Sequence, residues 1–247
     1  MNNIAVLLGF SENFNNSLYV AQATISAPGT IEMKRRKLKA THLEKTVFGD
    51  AGGSSLNHVV SLDLGEAVRE SDGKAVWRRV GALNCWEHIQ PLLKYHTYLQ
   101  TEEIHVAAWP PVDPHPEGDA LWGMGREGVQ TSPKPTQWNP RPSSCTAQPS
   151  SLKPVSTPCK TADSPMFNKP GSSSSAVFSP DGRRLTKVLP DSEEGIIYAD
   201  LDMDLILKSE CFVDSCGHYS RPDLLWLGVD DRERTHKAVV HEGAGNS

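Results

Sequence analysis

Residues 80 to 109 constrain the fold more than any other stretch of this chain. Val80-Gly81-Ala82-Leu83-Asn84 reads as a buried strand, Ile89, Leu92, Leu93, His96 and Leu99 recur at helical spacing, and Ile104 to Trp109 is a second short apolar run. Pro91 falls in the first turn of that helix, where its missing N–H costs nothing. Strand, helix and strand in this order make a parallel βαβ unit with a right-handed crossover. Cys85 lies where the first strand hands over to the helix.

The flanking segments add a hairpin and a departure from globular composition. Ile4 to Phe10 and Leu18 to Ile25 are strand-like, Pro28-Gly29 is a turn signal, and a third run leads into the basic cluster Lys34 to Lys39. Gly65 to Lys74 is a polar stretch. Residues 131–160 hold seven prolines among many serines and threonines, with no Ile, Phe, Met or Tyr, and are expected to be looping or disordered. Their codons, shifted by one nucleotide, can spell an apolar strand, so an aberrant reading frame is one expectation for this stretch. Order resumes near Ala176, where Ala176-Val177-Phe178, the turn Pro180-Asp181-Gly182 and Gly195 to Leu201 predict a second hairpin. Gly217 to Asp223 leads into the apolar Leu224 to Val229, and residues 236–247 are expected to fray.

Composition narrows the class of function. A chain of 247 residues builds one sizeable core. Its 30 acidic and 25 basic residues nearly balance, which gives no field for nucleic acid or a membrane surface and favours a small ligand. No apolar run approaches the roughly 20 residues a bilayer span needs, and the first residues lack a signal-peptide pattern. A soluble, cytoplasmic protein is expected. Five irregularly spaced cysteines do not form a disulfide framework, so at least one is free.

Thiol chemistry therefore becomes the question. A free cysteine, with a reference pKa of about 8.5, is mostly protonated at neutral pH and needs its surroundings to favour the thiolate. The start of a helix supplies unpaired N–H groups to Cys85, and Lys37, after a strand-like segment, is a candidate for the nearby ammonium that adds to them. Glu44, seven residues on, is placed to hold that ammonium.

The segment Gly81-Ala82-Leu83-Asn84-Cys85-Trp86-Glu87-His88-Ile89-Gln90-Pro91-Leu92-Leu93-Lys94 resembles the active-site signature of the nitrilase family of carbon-nitrogen hydrolases. Arg36 to Glu44 is similar to the family's lysine motif, with Ala40 where a proline is usual, and Gly217 to Leu225 is similar to a segment near the family's C-terminal end. The resemblance implies an α/β fold, the αββα sandwich of two sheets flanked by helices, whose subunits associate into homo-oligomers. It implies Cys85 as nucleophile, Lys37 as the cation that stabilises the tetrahedral species, and Glu44 as its orienting or proton-relaying partner. Trp86, Glu87 and His88 would belong to the substrate pocket. The implied activity is hydrolysis of a small nitrile to a carboxylic acid and ammonia, with no cofactor and no metal.

The resemblance also implies a gap. The family's first glutamate, its general base, lies in a Pro-Glu motif after the family's first strand, in an N-terminal portion that is expected to be lacking here, which would leave the sandwich incomplete. Glu12 stands in a comparable strand context but matches another family position. Hydration of cyanide to formamide, and a catalytically silent remnant that associates with complete relatives, are the alternative readings. Zinc-like spacings at Cys85 and His88, and at Cys211, Cys216 and His218, are set aside because the strand context gives Cys85 to nucleophilic chemistry. The Lys34 to Lys39 cluster, alternatively a localisation or nucleic-acid patch, is given to the lysine motif because it matches that motif and the chain is negative overall.

Overall fold

The computed structural model describes residues 4–65, 72–110, 112–115, 119, 121–129, 131, 143–147 (backbone only), 175–190, 193 and 195–233. Strand β1 (Val6–Phe14) turns into β2 (Ser17–Ile25) through Asn15 and Asn16, which take φ of 50° and 62°. Two successive left-handed residues make the tight hairpin turn whose twist matches that of the strands, and asparagine tolerates that conformation better than most side chains. After the turn at Pro28-Gly29, with Gly29 at φ 97°, β3 (Ile31–Arg36) returns antiparallel to β2. These strands form one sheet in the order β1-β2-β3. Met33 and Arg35, two apart on β3, are both buried, so one face of the strand points inward.

The second sheet runs β4 (Val59–Asp63), β5 (Trp77–Asn84), β6 (Ile104–Ala108), β7 (Ser143–Ala147), β8 (Ala176–Phe178). The three central strands are mutually parallel, and the outer two pair antiparallel. Helix α1 (Pro91–Leu99) makes the crossover from β5 to β6, as the periodicity predicts. Gln22 of β2 donates from Nε2 to the carbonyl of Leu83 on β5 at 3.5 Å, and Arg35 of β3 reaches Glu87 just beyond β5. The sheets thus pack against each other, and with the helices they make the α/β sandwich that the sequence implies.

Three local expectations are corrected. Cys85 opens not an α-helix but the five-residue 3-10 turn Cys85–Ile89, and α1 begins six residues later. Asn84 and Glu87 close a capping box around that turn, and Gln90 is then held extended because it precedes a proline. The buried side chains of α1 are Leu93 and Thr97, while Leu92 and Leu99 are exposed. Gly195 to Leu201 forms no strand: β8 is bordered by β7, its return partner is a single bridge to Arg184, and Ile196 and Tyr198 lie exposed.

Within 131–160, expected to loop, β7 supplies a sheet strand between β6 and β8. Its five residues contain no proline, and ladder hydrogen bonds use backbone groups that any such sequence carries. Most of the remainder, like residues 66–71 of the polar stretch Gly65 to Lys74 and the 236–247 tail, lies outside the described residues. A one-turn helix α2 (Arg126–Val129) and a helix α3 (Asp204–Phe212) follow in the chain. Beyond α3 the chain comes back against the loop after β3, where Asn57 Nδ2 donates to Asp231 at 3.1 Å. No helix among the described residues is long and apolar enough to cross a membrane.

Candidate active site

Cys85 sits at the C-terminal end of a central parallel strand, the edge where open α/β sheets place their ligands. Its φ of 51° is left-handed, a conformation costing about 1–3 kcal/mol for a non-glycine residue and held only when surrounding contacts enforce it. The residue is 8% exposed and packs with Ala107, Trp109, Val112 and Val129, with Trp86 against the cluster. This apolar setting pushes the thiol up to about 11 by burial; the Lys37 ammonium and the Trp86 backbone N–H pull the other way. The resting group is a thiol, poised for deprotonation only where those two donors act.

Lys37 follows β3 and is 2% exposed. Its Nζ donates to Glu44 Oε2 at 2.6 Å and to Thr41 Oγ1 at 3.1 Å. Thr41 caps the 3-10 turn His42–Thr46, and Glu44, at its third position, accepts from the Thr41 N–H at 2.8 Å. Glu44 is thereby fixed from both sides. Burial raises its pKa, yet the Lys37 and Thr41 hydrogen bonds outweigh that and hold the carboxyl below its usual range, so it is an anion near neutrality.

Glu87 ties the cysteine corner to the lysine loop. Its Oε1 accepts from Arg35 Nη2 at 2.7 Å and from the Leu38 N–H at 2.9 Å, and its Oε2 accepts from Arg35 Nη1 at 2.8 Å and from the Asn84 N–H at 2.8 Å. Both side chains of this ion pair are buried. One carboxylate thus clamps the residue before Cys85 and the residue after Lys37.

Of the three residues expected in a substrate pocket, Trp86 and Glu87 line a recess of about 540 Å³ together with Leu38, Thr41, Ile89 and Leu92. His88 does not line it. Its ring is buried, stacked on Trp109 at 5.5 Å, with Nδ1 2.6 Å from the Cys85 carbonyl oxygen and Nε2 2.9 Å from Nε2 of His105. His105 Nδ1 in turn meets Glu102 Oε1 at 2.8 Å. Glu12 lies away from this centre, paired with Lys34 and Arg36 on the first sheet. Sequence reasoning brought Cys85, Lys37 and Glu44 together but missed Arg35, Glu102 and His105. The only hints were the first of two adjacent arginines in a basic cluster and an acid–histidine pair three apart entering an apolar strand.

Comparison with known proteins follows the same lines. The family model for carbon-nitrogen hydrolases matches residues 1–139. The expected lack of an N-terminal portion is not borne out by this match. An arylacetonitrilase from Aspergillus niger is 52% identical over 232 residues, covering 94% of this chain and 64% of the relative. An arylacetonitrilase from Aspergillus kawachii is 49% identical over 235 residues, covering 95% and 68%. The chain therefore spans about two thirds of the length of these relatives. Among solved structures, a carbon-nitrogen hydrolase from Helicobacter pylori G27 superposes with a TM-score of 0.57 at 15% identity, covering 85% of this chain and 65% of that one. Saccharomyces cerevisiae Nit3, a member of branch 10 of the nitrilase superfamily, gives 0.55 at 16% identity, covering 85% and 64%. At such identities the two structures speak for the fold alone.

Proposed function

The chain belongs to the carbon-nitrogen hydrolase family, and from that premise we propose that it hydrolyses a nitrile to a carboxylic acid and ammonia, with Cys85 as nucleophile. The observation that carries this reading is the buried Lys37 ammonium, held by Glu44, acting on a thiol that sits in an apolar, left-handed corner. The relatives named arylacetonitrilases support a nitrile whose cyano-bearing carbon carries an aromatic ring, and they favour hydrolysis over hydration of cyanide.

In this reaction the thiolate adds to the nitrile carbon and the nitrogen takes a proton, giving a thioimidate. Water adds to that carbon, the C–N bond breaks, and ammonia leaves a thioester. A second water cleaves the C–S bond to release the acid and the thiol. Lys37 stabilises the thiolate and the charge that develops on each tetrahedral species, where one oriented donor is worth about 3 kcal/mol. Glu44 keeps the ammonium in place and, as an anion, can accept a proton on the way. Trp86 and the adjoining recess offer an apolar, aromatic lining to the substrate ring.

The free Cys85, Cys211 and Cys216 support a reducing, cytoplasmic setting. Exposed Leu224, Leu225 and Trp226 support association into homo-oligomers, which light scattering tests. The experiment for the activity is ammonia release from phenylacetonitrile by the purified chain beside Cys85→Ala. Ammonia and phenylacetate from the parent and none from the variant are expected. Equal rates from both, or amide as the sole product, would overturn the proposal.

A further inference from the structure

A buried chain of three titratable groups ends on the cysteine corner and has no part in the reaction above. Glu102 stands just before β6, His105 on β6, and His88 on the turn after Cys85, and all three are almost fully buried. Their contacts run Glu102 Oε1 to His105 Nδ1 at 2.8 Å, His105 Nε2 to His88 Nε2 at 2.9 Å, and His88 Nδ1 to the Cys85 carbonyl oxygen at 2.6 Å.

The last contact fixes the direction of all the others. A carbonyl only accepts, so His88 carries its proton on Nδ1. In the neutral ring Nε2 is then an acceptor, so His105 must donate from Nε2, which leaves His105 Nδ1 as an acceptor. Glu102 must therefore donate, as the protonated acid. Three bonds hold three protons, and the whole relay is uncharged.

Independent observations agree. Glu102 Oε2 is buried with no hydrogen-bond partner among the described residues, a tolerable place for a neutral acid's carbonyl and an expensive one for a carboxylate. Burial pushes the Glu102 carboxyl well above the usual carboxylate range and both imidazoles well below theirs. The charged groups that face the rings are Lys94 from α1, Arg35 from β3 and Glu87 from the turn. The two cations oppose a further proton, and Glu87 is already committed to Arg35. Gly81 on β5 makes room for the acid: a Cβ there would lie 2.1 Å from Glu102 Oε1.

We propose that Glu102, His105 and His88 are positioning residues, a one-way hydrogen-bond relay that fixes and polarises the Cys85–Trp86 peptide for the nucleophilic thiol. This rests on the reading of Cys85 as the nucleophile. The carbonyl edge of that peptide is pinned by His88, and its N–H edge is the Trp86 donor that acts on the Cys85 sulfur. Pinning the carbonyl enforces the left-handed φ. A hydrogen bond accepted by an amide oxygen also strengthens the same amide as a donor, so the relay makes the N–H a better partner for sulfur as it becomes anionic.

The test has two arms, neither of which needs turnover. In the first, the protein carrying 15N-labelled histidine is examined by long-range proton–nitrogen NMR between about pH 5 and about pH 8, the range in which free imidazole changes charge. The two rings are assigned with His88→Asn and His105→Gln. His88 as the Nδ1–H tautomer and His105 as the Nε2–H tautomer, both neutral throughout, are expected. An imidazolium at His105, or an Nε2–H tautomer at His88, overturns the relay.

In the second arm, iodoacetamide alkylation of Cys85 is followed by peptide mass spectrometry as a function of pH. His88→Leu should raise the alkylation midpoint by about one pH unit, a tenfold loss of rate at fixed pH, because a donor to the charged form is weakened. His88→Asn, which keeps a donor near Nδ1, should recover most of the loss. Glu102→Gln, an uncharged donor of the same shape, should alkylate like the parent, and Glu102→Leu should slow. A folded His88→Leu that alkylates at the parental rate sinks the proposal, whereas correct tautomers with no nitrile turnover would fault only the assigned activity.

Discussion

Replacing Glu87 by glutamine should destabilise this protein far more than its single-atom change suggests. Each Glu87 oxygen accepts one guanidinium N–H from Arg35 and one backbone N–H, from Leu38 or Asn84. Whichever way a glutamine is turned, its NH₂ faces two donors and strands Arg35, which is fully buried, as an uncompensated cation. Removing one partner of a buried ion pair costs about 3–5 kcal/mol. For a chain of this size each kcal/mol lowers Tm by about 2–4 °C, so a fall of about 6–20 °C is expected. Thermal and urea unfolding by circular dichroism measure it, and the double variant Arg35→Met with Glu87→Met should recover much of the loss, since two apolar side chains leave no charge behind. The pH dependence has a definite sign. The Arg35 charge and hydrogen bonds hold Glu87 below its usual range against the cost of burial. Its stabilisation is therefore complete above the unfolded value of about 4.3 and disappears as pH falls through the lower folded value. Glu87→Gln should lack that acid-side loss. If it melts within about 2 °C of the parent, the clamp does not hold the site together.

Lys37→Met should raise the Cys85 midpoint and slow its alkylation at pH 8 by about 10- to 1000-fold, the effect of removing one nearby opposite charge; iodoacetamide kinetics read it directly. Glu44→Gln should shift the same midpoint the other way, downward, because the Glu44 charge disfavours the thiolate; an upward shift would mean that Glu44 acts only by holding Lys37. Asn16→Gly should stabilise the β1–β2 turn by up to about 1 kcal/mol, since glycine occupies the second left-handed position freely, and urea midpoints check it.

What the sequence made legible is what repeats or what resembles. The βαβ unit followed from apolar periodicity, and Cys85, Lys37 and Glu44 from motif resemblance. The left-handed φ of Cys85 was not legible, because it depends on a carbonyl pinned by His88 and a turn closed by Glu87. The helix was misplaced because Ile89 sits at helical spacing although Pro91 forces Gln90 out of helical geometry. The Arg35–Glu87 pair joins residues 52 apart, and no local pattern announces a partner that only sheet packing supplies. Gly195 to Leu201 misled for the opposite reason: alternation and β-branched residues suit a strand, but no neighbouring edge among the described residues receives them. The strand β7 shows the reverse case, a segment of poor strand character that the ladder recruits.

The Glu87 clamp has a consequence for how the molecule comes into being. Arg35 and the Leu38 N–H reach it from the first sheet and the loop after it, while the carboxylate and the Asn84 N–H belong to the second, so neither half can set the cysteine corner alone. Closing a loop of that length is an entropic step that precedes any reward from the contact. Burial raises the Cys85 thiol above its free value, so its reactivity should fall late and all at once during refolding, making position 85 a clock for the final docking event rather than for early collapse.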